Sequence, residues 1–142
     1  VNGESLPFHK GLNPRKAGIG SFVNNVVHSS TRGIYLLYLE NDAFADDPPA
    51  LVNTKVFRNK VDGIKFHASR YMGIEGGLLA DNRYGFVADY CDSLHVHGTT
   101  IVGQSDTFEE MLTFQGLSKF CPSSFGLRGL FIAPHRYRGN PY

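Results

Sequence analysis

Two histidines near the middle of the chain have the spacing of a possible metal site. His95 and His97 lie in a short apolar run, and alternate residues of a β-strand point to the same side. Two imidazoles on one strand face can share a metal ion, and Asp89 and Asp92 are close in sequence as oxygen ligands. The alternative is a polar strand face turned to solvent. We assign no metal ligand from this spacing, and we treat both histidines as candidate binding residues.

A second candidate is the dipeptide His28-Ser29. A histidine beside a serine hydroxyl can activate that hydroxyl as a nucleophile. No carboxylate follows within the next few positions to orient the imidazole, and the chain has no Gly-x-Ser-x-Gly motif. The alternative is that His28 packs at a bend and binds a backbone carbonyl.

The near-neutral net charge argues against partners that bind through long-range electrostatic attraction. Fourteen basic and thirteen acidic residues leave a net charge of +1, so we predict neither nucleic-acid binding nor attraction to an anionic membrane. No apolar run approaches the ~18 residues of a membrane helix, and we predict no membrane segment in this chain.

Cys91 and Cys121 form no zinc motif, and the sequence leaves open whether they are one disulfide or two thiols.

The elements that position these residues are mainly strands. One short helix is predicted near 106–114, where Phe108, Met111 and Leu112 follow the helical spacing. Elsewhere short apolar runs alternate with Gly, Asn and Asp, which is typical of strands and turns. The fold class is therefore all-β, with at most that one helix. The predicted strands are Gly33 to Leu39, Gly63 to His67, Gly85 to Asp89, Leu94 to His97, Thr99 to Val102 and Gly129 to Ala133.

Four tetrapeptides that each end in an amide indicate a repeat. The amides recur at intervals of 34, 23 and 22 along the chain, and a period in the low twenties is typical of a solenoid. We therefore predict a parallel β-helix, in which stacked amides form a ladder at the bend. A β-sandwich is the competing architecture. The amides of the predicted ladder are Asn25, Asn59, Asn82 and Gln104.

Glycines and apolar residues recur with the same repeat. Gly33, Gly63 and Gly85 each come a few residues after an amide, and we expect them to supply the backbone freedom that a corner needs. Val56, Leu79 and Ile101 would stack in an inward column. The long first amide interval contains the run Asp-Asp-Pro-Pro at 46–49, which predicts a loop insertion.

At these same residues the sequence resembles a known family. The segment Phe-Val-Asn-Asn-Val-Val-His-Ser at 22–29, followed by Arg32-Gly33, resembles the "F-x-N-N-V-A-H-S…R-x-G" segment of the cell-surface and cell-migration-inducing hyaluronidases. Fibrocystin and its relatives share related segments. The resemblance spans about residues 21–133, although Val27 stands where the family prefers Ala and one residue is missing before Gly33.

The resemblance implies a right-handed parallel β-helix from a large, modular protein that is extracellular or on the cell surface. Residues 1–142 would be one β-helix segment of a longer chain, with an irregular entry at 1–20, coils at 21–133 and a loop at 134–142. It also implies a link to glycans, and in some members to the breakdown of hyaluronan.

Three functions fit this interpretation, and the first is a structural or glycan-binding module. Arginines and tyrosines can contact the carboxylates and rings of a glycan, and the candidate binding residues are Arg32, Arg83, Tyr84, His95 and His97.

The second function is part of a polysaccharide-degrading, hyaluronidase-like enzyme. Clustered carboxylates and a histidine would act as acid and base, or would bind a calcium ion. The candidate catalytic residues are His28, Asp81 and Asp89. The third function is a self-assembling fibre or coat component that pairs the open ends of its coils. The expected partners are accordingly a glycan, other extracellular proteins or further copies of the chain.

Overall fold

The structure is a computed structural model that describes residues 13–103, 105 and 128–132, the last of these as backbone only. Strands dominate the described residues, which confirms the all-β prediction; two single 3₁₀ turns, Pro14–Lys16 and Asp42–Phe44, are also present. The helix predicted near 106–114 lies outside the described residues. The strands are β1 (Phe22–Val23), β2 (Val26–His28), β3 (Ile34–Leu37), β4 (Ala50–Val52), β5 (Lys55–Phe57), β6 (Asp62–His67), β7 (Arg70–Glu75), β8 (Leu78–Ala80), β9 (Tyr84–Asp89), β10 (Asp92–His97), β11 (Thr100–Val102) and β12 (Arg128–Ile132).

The strands form three parallel sheets of four strands each. Sheet I contains β1, β4, β7 and β10, sheet II contains β2, β5, β8 and β11, and sheet III contains β3, β6, β9 and β12. Every pairing in these sheets is parallel and joins strands three positions apart in the chain. Three consecutive strands, one in each sheet, are called a unit below. Parallel pairing was predicted from the repeat, and the structure confirms it.

The register gives the true length of each unit. Val56 pairs with Leu79 and Ile64 pairs with Phe86, so stacked positions of the second and third units are separated by 22 or 23 along the chain. The first separation is longer, because Phe22 pairs with Leu51. The additional residues belong to the connection between β3 and β4, where the loop insertion was predicted. Between β11 and β12, residues 104 and 106–127 lie outside the described residues.

One apolar core lies between the three sheets. It contains inward residues from each sheet, such as Ile74 of sheet I, Val56 of sheet II and Phe66 of sheet III, all of which are fully buried. The predicted column Val56, Leu79 and Ile101 lies in register across β5, β8 and β11. Strand alternation places the intervening residues on the outer faces, which are the surfaces available for function.

The glycines at the start of sheet III have a different role from the expected one. Gly33, Gly63 and Gly85 do not have positive φ angles, so corner freedom is not the reason for them. They lie opposite one another in adjacent strands, as the flanking register shows. A Cβ on Gly63 would lie 2.5 Å from the Gly85 carbonyl oxygen. Gly33 and Gly63 therefore have no room for a side chain, because the backbone of the next unit lies too close.

A short amide ladder holds the bend between sheets II and III. The Asn59 backbone N–H and its Nδ2 both donate to Asn82 Oδ1, at 3.0 and 2.9 Å. Asn59 Oδ1 in turn accepts from the Ser30 backbone N–H at 3.0 Å. Asn82 Nδ2 donates to the Val56 carbonyl at 2.9 Å. These bonds satisfy buried polar groups across three successive units, which fixes the stacking of the bends.

Asn25 lies at another bend. Val26 pairs with Lys55, so Asn25 is opposite Thr54 between sheets I and II, and its Nδ2 donates to the Val23 carbonyl at 3.3 Å. The position equivalent to Asn59 in the first unit is Ser30, which lies 29 residues before it. The prediction that Asn25 belongs to the same ladder as Asn59 is therefore wrong, because the two residues lie at different bends. Gln104 lies outside the described residues.

Candidate functional site

The most chemically varied surface of the described chain is the outer face of sheet III. His67 of β6 lies directly opposite Asp89 of β9, and His67 Nδ1 is 2.8 Å from Asp89 Oδ2. Lys65, two residues before His67 and on the same face, places its Nζ 3.6 Å from the same carboxylate oxygen. Parallel register is the reason for this contact, since it brings residues 22 positions apart side by side.

Tyrosines surround the histidine. Tyr38 and Tyr90 both make edge-to-face contacts with the His67 ring, with centroid distances of 5.8 and 5.7 Å. Both tyrosines follow strands of sheet III at residues with positive φ, which turn the chain away from the sheet. Their exposed fractions are 43% and 51%. The imidazole is thus held between two aromatic rings that solvent also reaches.

Cations lie over the aromatic rings at the same face. The Arg32 guanidinium is 5.1 Å from the centroid of Tyr35, and Lys65 Nζ is 5.8 Å from it. The Arg15 guanidinium lies 5.1 Å from the Tyr38 centroid. Such cation–π contacts orient long side chains that would otherwise be free to move. We call Tyr35, Tyr38, Lys65, His67, Asp89 and Tyr90 the tyrosine–histidine face.

This arrangement can recognise a sugar or transfer a proton. Exposed tyrosine rings offer apolar surface with a polar edge, which suits the mixed surface of a pyranose ring. A histidine held by a carboxylate is the usual arrangement of a general acid or base. Sequence reasoning selected Asp89 and missed His67. The signal that could have found His67 is its spacing of 22 from Asp89, which equals the repeat.

The three candidate catalytic residues lie apart from one another. Asp89 belongs to sheet III, whereas His28 belongs to β2 of sheet II. The His28 ring stacks on Phe57 at 5.0 Å, and its Nδ1 lies 3.0 Å from Ser29 Oγ. Asp81 follows β8, is almost completely buried, and accepts hydrogen bonds from the backbone N–H and Oγ of Ser105 at 2.6 and 2.7 Å. The structure therefore does not bring the three together.

The candidate binding residues divide between two faces. Arg32 reaches the tyrosine–histidine face, and its Nε also lies 3.3 Å from Asp62 Oδ2. Arg83 lies over the Tyr84 ring at 5.3 Å, where the chain enters β9 of sheet III. His95 and His97 belong to sheet I. The first of these histidines places Nε2 3.2 Å from Glu75 Oε1, and the second is exposed on the same outer face.

Neither a metal cluster nor a membrane helix is found in the described part of the chain. No three His, Cys, Asp or Glu side chains among the residues described are arranged to hold a metal ion, and this includes the surroundings of His95. Within the same ranges no helix is long and apolar enough to span a bilayer.

Cys91, between β9 and β10, is a free thiol. Its side chain is partly buried against the core, and this burial raises the pKa of the thiol above its ordinary value, chiefly because the thiolate would lose hydration. Hydrogen bonds with the backbone at Ser69 and Asp89 oppose the shift without cancelling it. Cys121 lies outside the described residues. The thiol of Cys91 is therefore a poor nucleophile near neutral pH.

Comparison of the chain with family models, with curated proteins and with solved structures gave no match.

Proposed function

We propose that this chain is a section of right-handed parallel β-helix. Three parallel sheets, a repeat of 22 to 23 between stacked positions and one enclosed apolar core support this architecture. The right hand follows from the strong preference of parallel crossover connections for that hand. The resemblance to the hyaluronidase and fibrocystin-like family belongs to the same proposal, as does a place in an extracellular or cell-surface protein.

The function that the geometry supports best is glycan binding at the tyrosine–histidine face. The observation that carries it is a hydrogen-bonded His67 between two exposed tyrosines, with Lys65 in the same cluster over the ring of a third exposed tyrosine, Tyr35. The rings would stack on sugar faces, while the charged groups would bind hydroxyl and carboxylate groups. A stack of parallel strands is rigid, so it presents these groups in a fixed arrangement.

A titration with hyaluronan oligosaccharides of defined length tests this function. We expect saturable binding that falls at least fivefold in Tyr35→Ala and in Lys65→Ala, because each change removes a group from the face. Lys55→Ala is the matched control, since Lys55 is an exposed lysine on sheet II. Binding that is unchanged in both face variants, or equally reduced in the control, contradicts glycan recognition at this face.

Cleavage of a polysaccharide is the second candidate, and the short contact between His67 and Asp89 favours it. In this function His67 would move the proton, and Asp89 would orient the imidazole through Nδ1. The test is a depolymerisation assay that follows the chain length of hyaluronan. Cleavage should be lost in His67→Gln and kept in His28→Gln, whose imidazole lies on sheet II. Equal cleavage by both variants rules out His67 as the acid or base.

A further inference from the structure

A cavity lies on the outer surface of sheet I, and none of the groups of the tyrosine–histidine face lines it. Its volume is about 420 Å³, within the range of small-molecule sites. One wall is the segment that leads into β1, and the other is the inserted loop between β3 and β4. Phe44 and Pro48 of that loop line the cavity, and Ala50 and Val52 of β4 contribute to it as well.

The residues around this cavity carry negative charge only. Asp47 and Glu75 are among its lining residues, and none of the described lining residues is Lys, Arg or His. Glu75 is held in position, since its Oε1 lies 3.2 Å from His95 Nε2, which leaves Oε2 for another partner. A cation is the complement of two carboxylates beside an apolar wall.

The cavity depends on features that are particular to this part of the chain. The inserted loop accounts for the longer separation between the first two units, in which Phe22 pairs with Leu51. Gly18 lets the loop pack against the entry segment, because a Cβ there would lie 3.2 Å from the Phe44 ring. Strand alternation puts Val52 and Glu75 on the outer face of sheet I, in register with each other. Loop and sheet thus form the two sides of one concave site.

We propose that this cavity binds a primary ammonium group on a short aliphatic stem, as found in a lysine side chain or a free alkylamine. The methylene groups would contact Pro48 and Val52, and the ammonium group would lie between the carboxylates of Asp47 and Glu75. The Phe44 ring adds cation–π attraction. The site is separate from the tyrosine–histidine face and takes a cation, so it goes beyond glycan binding.

The test is an NMR titration of the full chain with n-butylammonium, with n-butanol as an uncharged probe of the same length. We expect saturable shifts with the amine at millimolar concentration and at least tenfold weaker binding of the alcohol. Asp47→Asn and Glu75→Gln should each weaken amine binding at least fivefold. Asp46→Asn is the matched control, because this adjacent carboxylate is not among the lining residues, and it should leave the affinity unchanged.

A second pair of measurements identifies the source of the ammonium group. An N-acetylated Gly-Lys-Gly amide, whose one ammonium group is that of the lysine side chain, indicates a lysine side chain if it binds as well as n-butylammonium, and preference for the free amine indicates a small metabolite. Ala50→Leu should abolish binding of both by filling the cavity. Equal binding of the alcohol, equal loss in Asp46→Asn, or no saturable binding of either amine overturns the proposal.

Discussion

Asn82 shows how one buried residue holds adjacent units together. Its Oδ1 accepts two hydrogen bonds from Asn59, and its Nδ2 donates to the Val56 carbonyl. The side chain is almost completely inaccessible to water, so no solvent molecule can replace these bonds. Asn25 has the same side chain, but it is only partly buried, and its amide makes a solvent-exposed hydrogen bond to the nearby Val23 carbonyl. We therefore expect the same side chain to contribute more to the free energy of unfolding at position 82 than at position 25.

The first prediction compares these two asparagines. Asn82→Ala leaves the Asn59 amide and the Val56 carbonyl without partners, and we expect the free energy of unfolding to fall by about 2–4 kcal/mol. Asn25→Ala should change it by less than about 1 kcal/mol, because this partly buried side chain makes one hydrogen bond that is exposed to solvent. Urea denaturation followed by circular dichroism measures both. A loss of similar size in the two variants contradicts the ladder.

The second prediction concerns the Cys91 thiol. Because burial raises its pKa, the reactive thiolate forms at higher pH in the folded chain than in the unfolded chain. In Cys121→Ser, where Cys91 is the remaining cysteine, the rate of iodoacetamide alkylation should reach its half-maximum above pH 9.0. The same variant in concentrated urea should show an ordinary midpoint, lower than that of the folded form. Identical midpoints in the two states would show that burial does not perturb the thiol.

A column of glycines lies at the start of the strands of sheet III. Gly33, just before β3, lies opposite Gly63 of β6, which lies opposite Gly85 of β9, and the register of β12 places Gly129 next in the series. A side chain at Gly63 would meet the backbone of the neighbouring strand, which cannot move without breaking its own pairing. Gly73 of sheet I differs, because a side chain there would meet the imidazole of His95.

The third prediction compares alanine at these two glycines. Gly63→Ala should destabilise the chain by about 3 kcal/mol, since overpacking against fixed backbone has no inexpensive relaxation. Gly73→Ala should cost less, about 1 kcal/mol, because the His95 side chain can rotate away. Thermal unfolding of both variants, monitored in parallel, gives the comparison. A milder effect at Gly63 than at Gly73 would mean that the strands of sheet III can separate.

At the scale of the whole molecule, stacking makes the core a set of continuous columns. Leu51, Ile74 and Val96 lie in register across β4, β7 and β10 of sheet I. Ile74, in the third unit, is fully buried, whereas Val96 in the fourth unit is 43% exposed. Within one column, the residue of the third unit is therefore buried and the residue of the fourth unit is partly exposed.

The fourth prediction uses this column. Ile74→Ala should lower the free energy of unfolding by about 2–5 kcal/mol, the cost of a cavity in a close-packed core. Val96→Ala should lower it by less than about 1 kcal/mol, because solvent already reaches the side chain. Urea titrations with the same starting conditions give both values. A larger loss for Val96 than for Ile74 would place the centre of the core in the fourth unit.

Local patterns in the sequence predicted the strands and their parallel pairing. Apolar runs bounded by Gly, Asn and Asp predicted strands at β3, β6, β9, β10 and β11, and the interval of 23 between Asn59 and Asn82 matches the register. These features could be read because each depends on residues close in sequence or on a constant period. The interval between Asn25 and Asn59 does not match the register. An insertion lengthens the first unit, and Asn25 lies at a different bend from Asn59.

Composition and periodicity by themselves determined that this chain is all-β and that its strands pair in parallel with a repeat in the low twenties. Only the tertiary structure decided which side chains meet on an outer face. His67 reaches Asp89, and Lys65 joins them, because parallel register and strand alternation act together. A shift of one residue in that register would turn these side chains to the opposite face, and no local pattern specifies it to that accuracy.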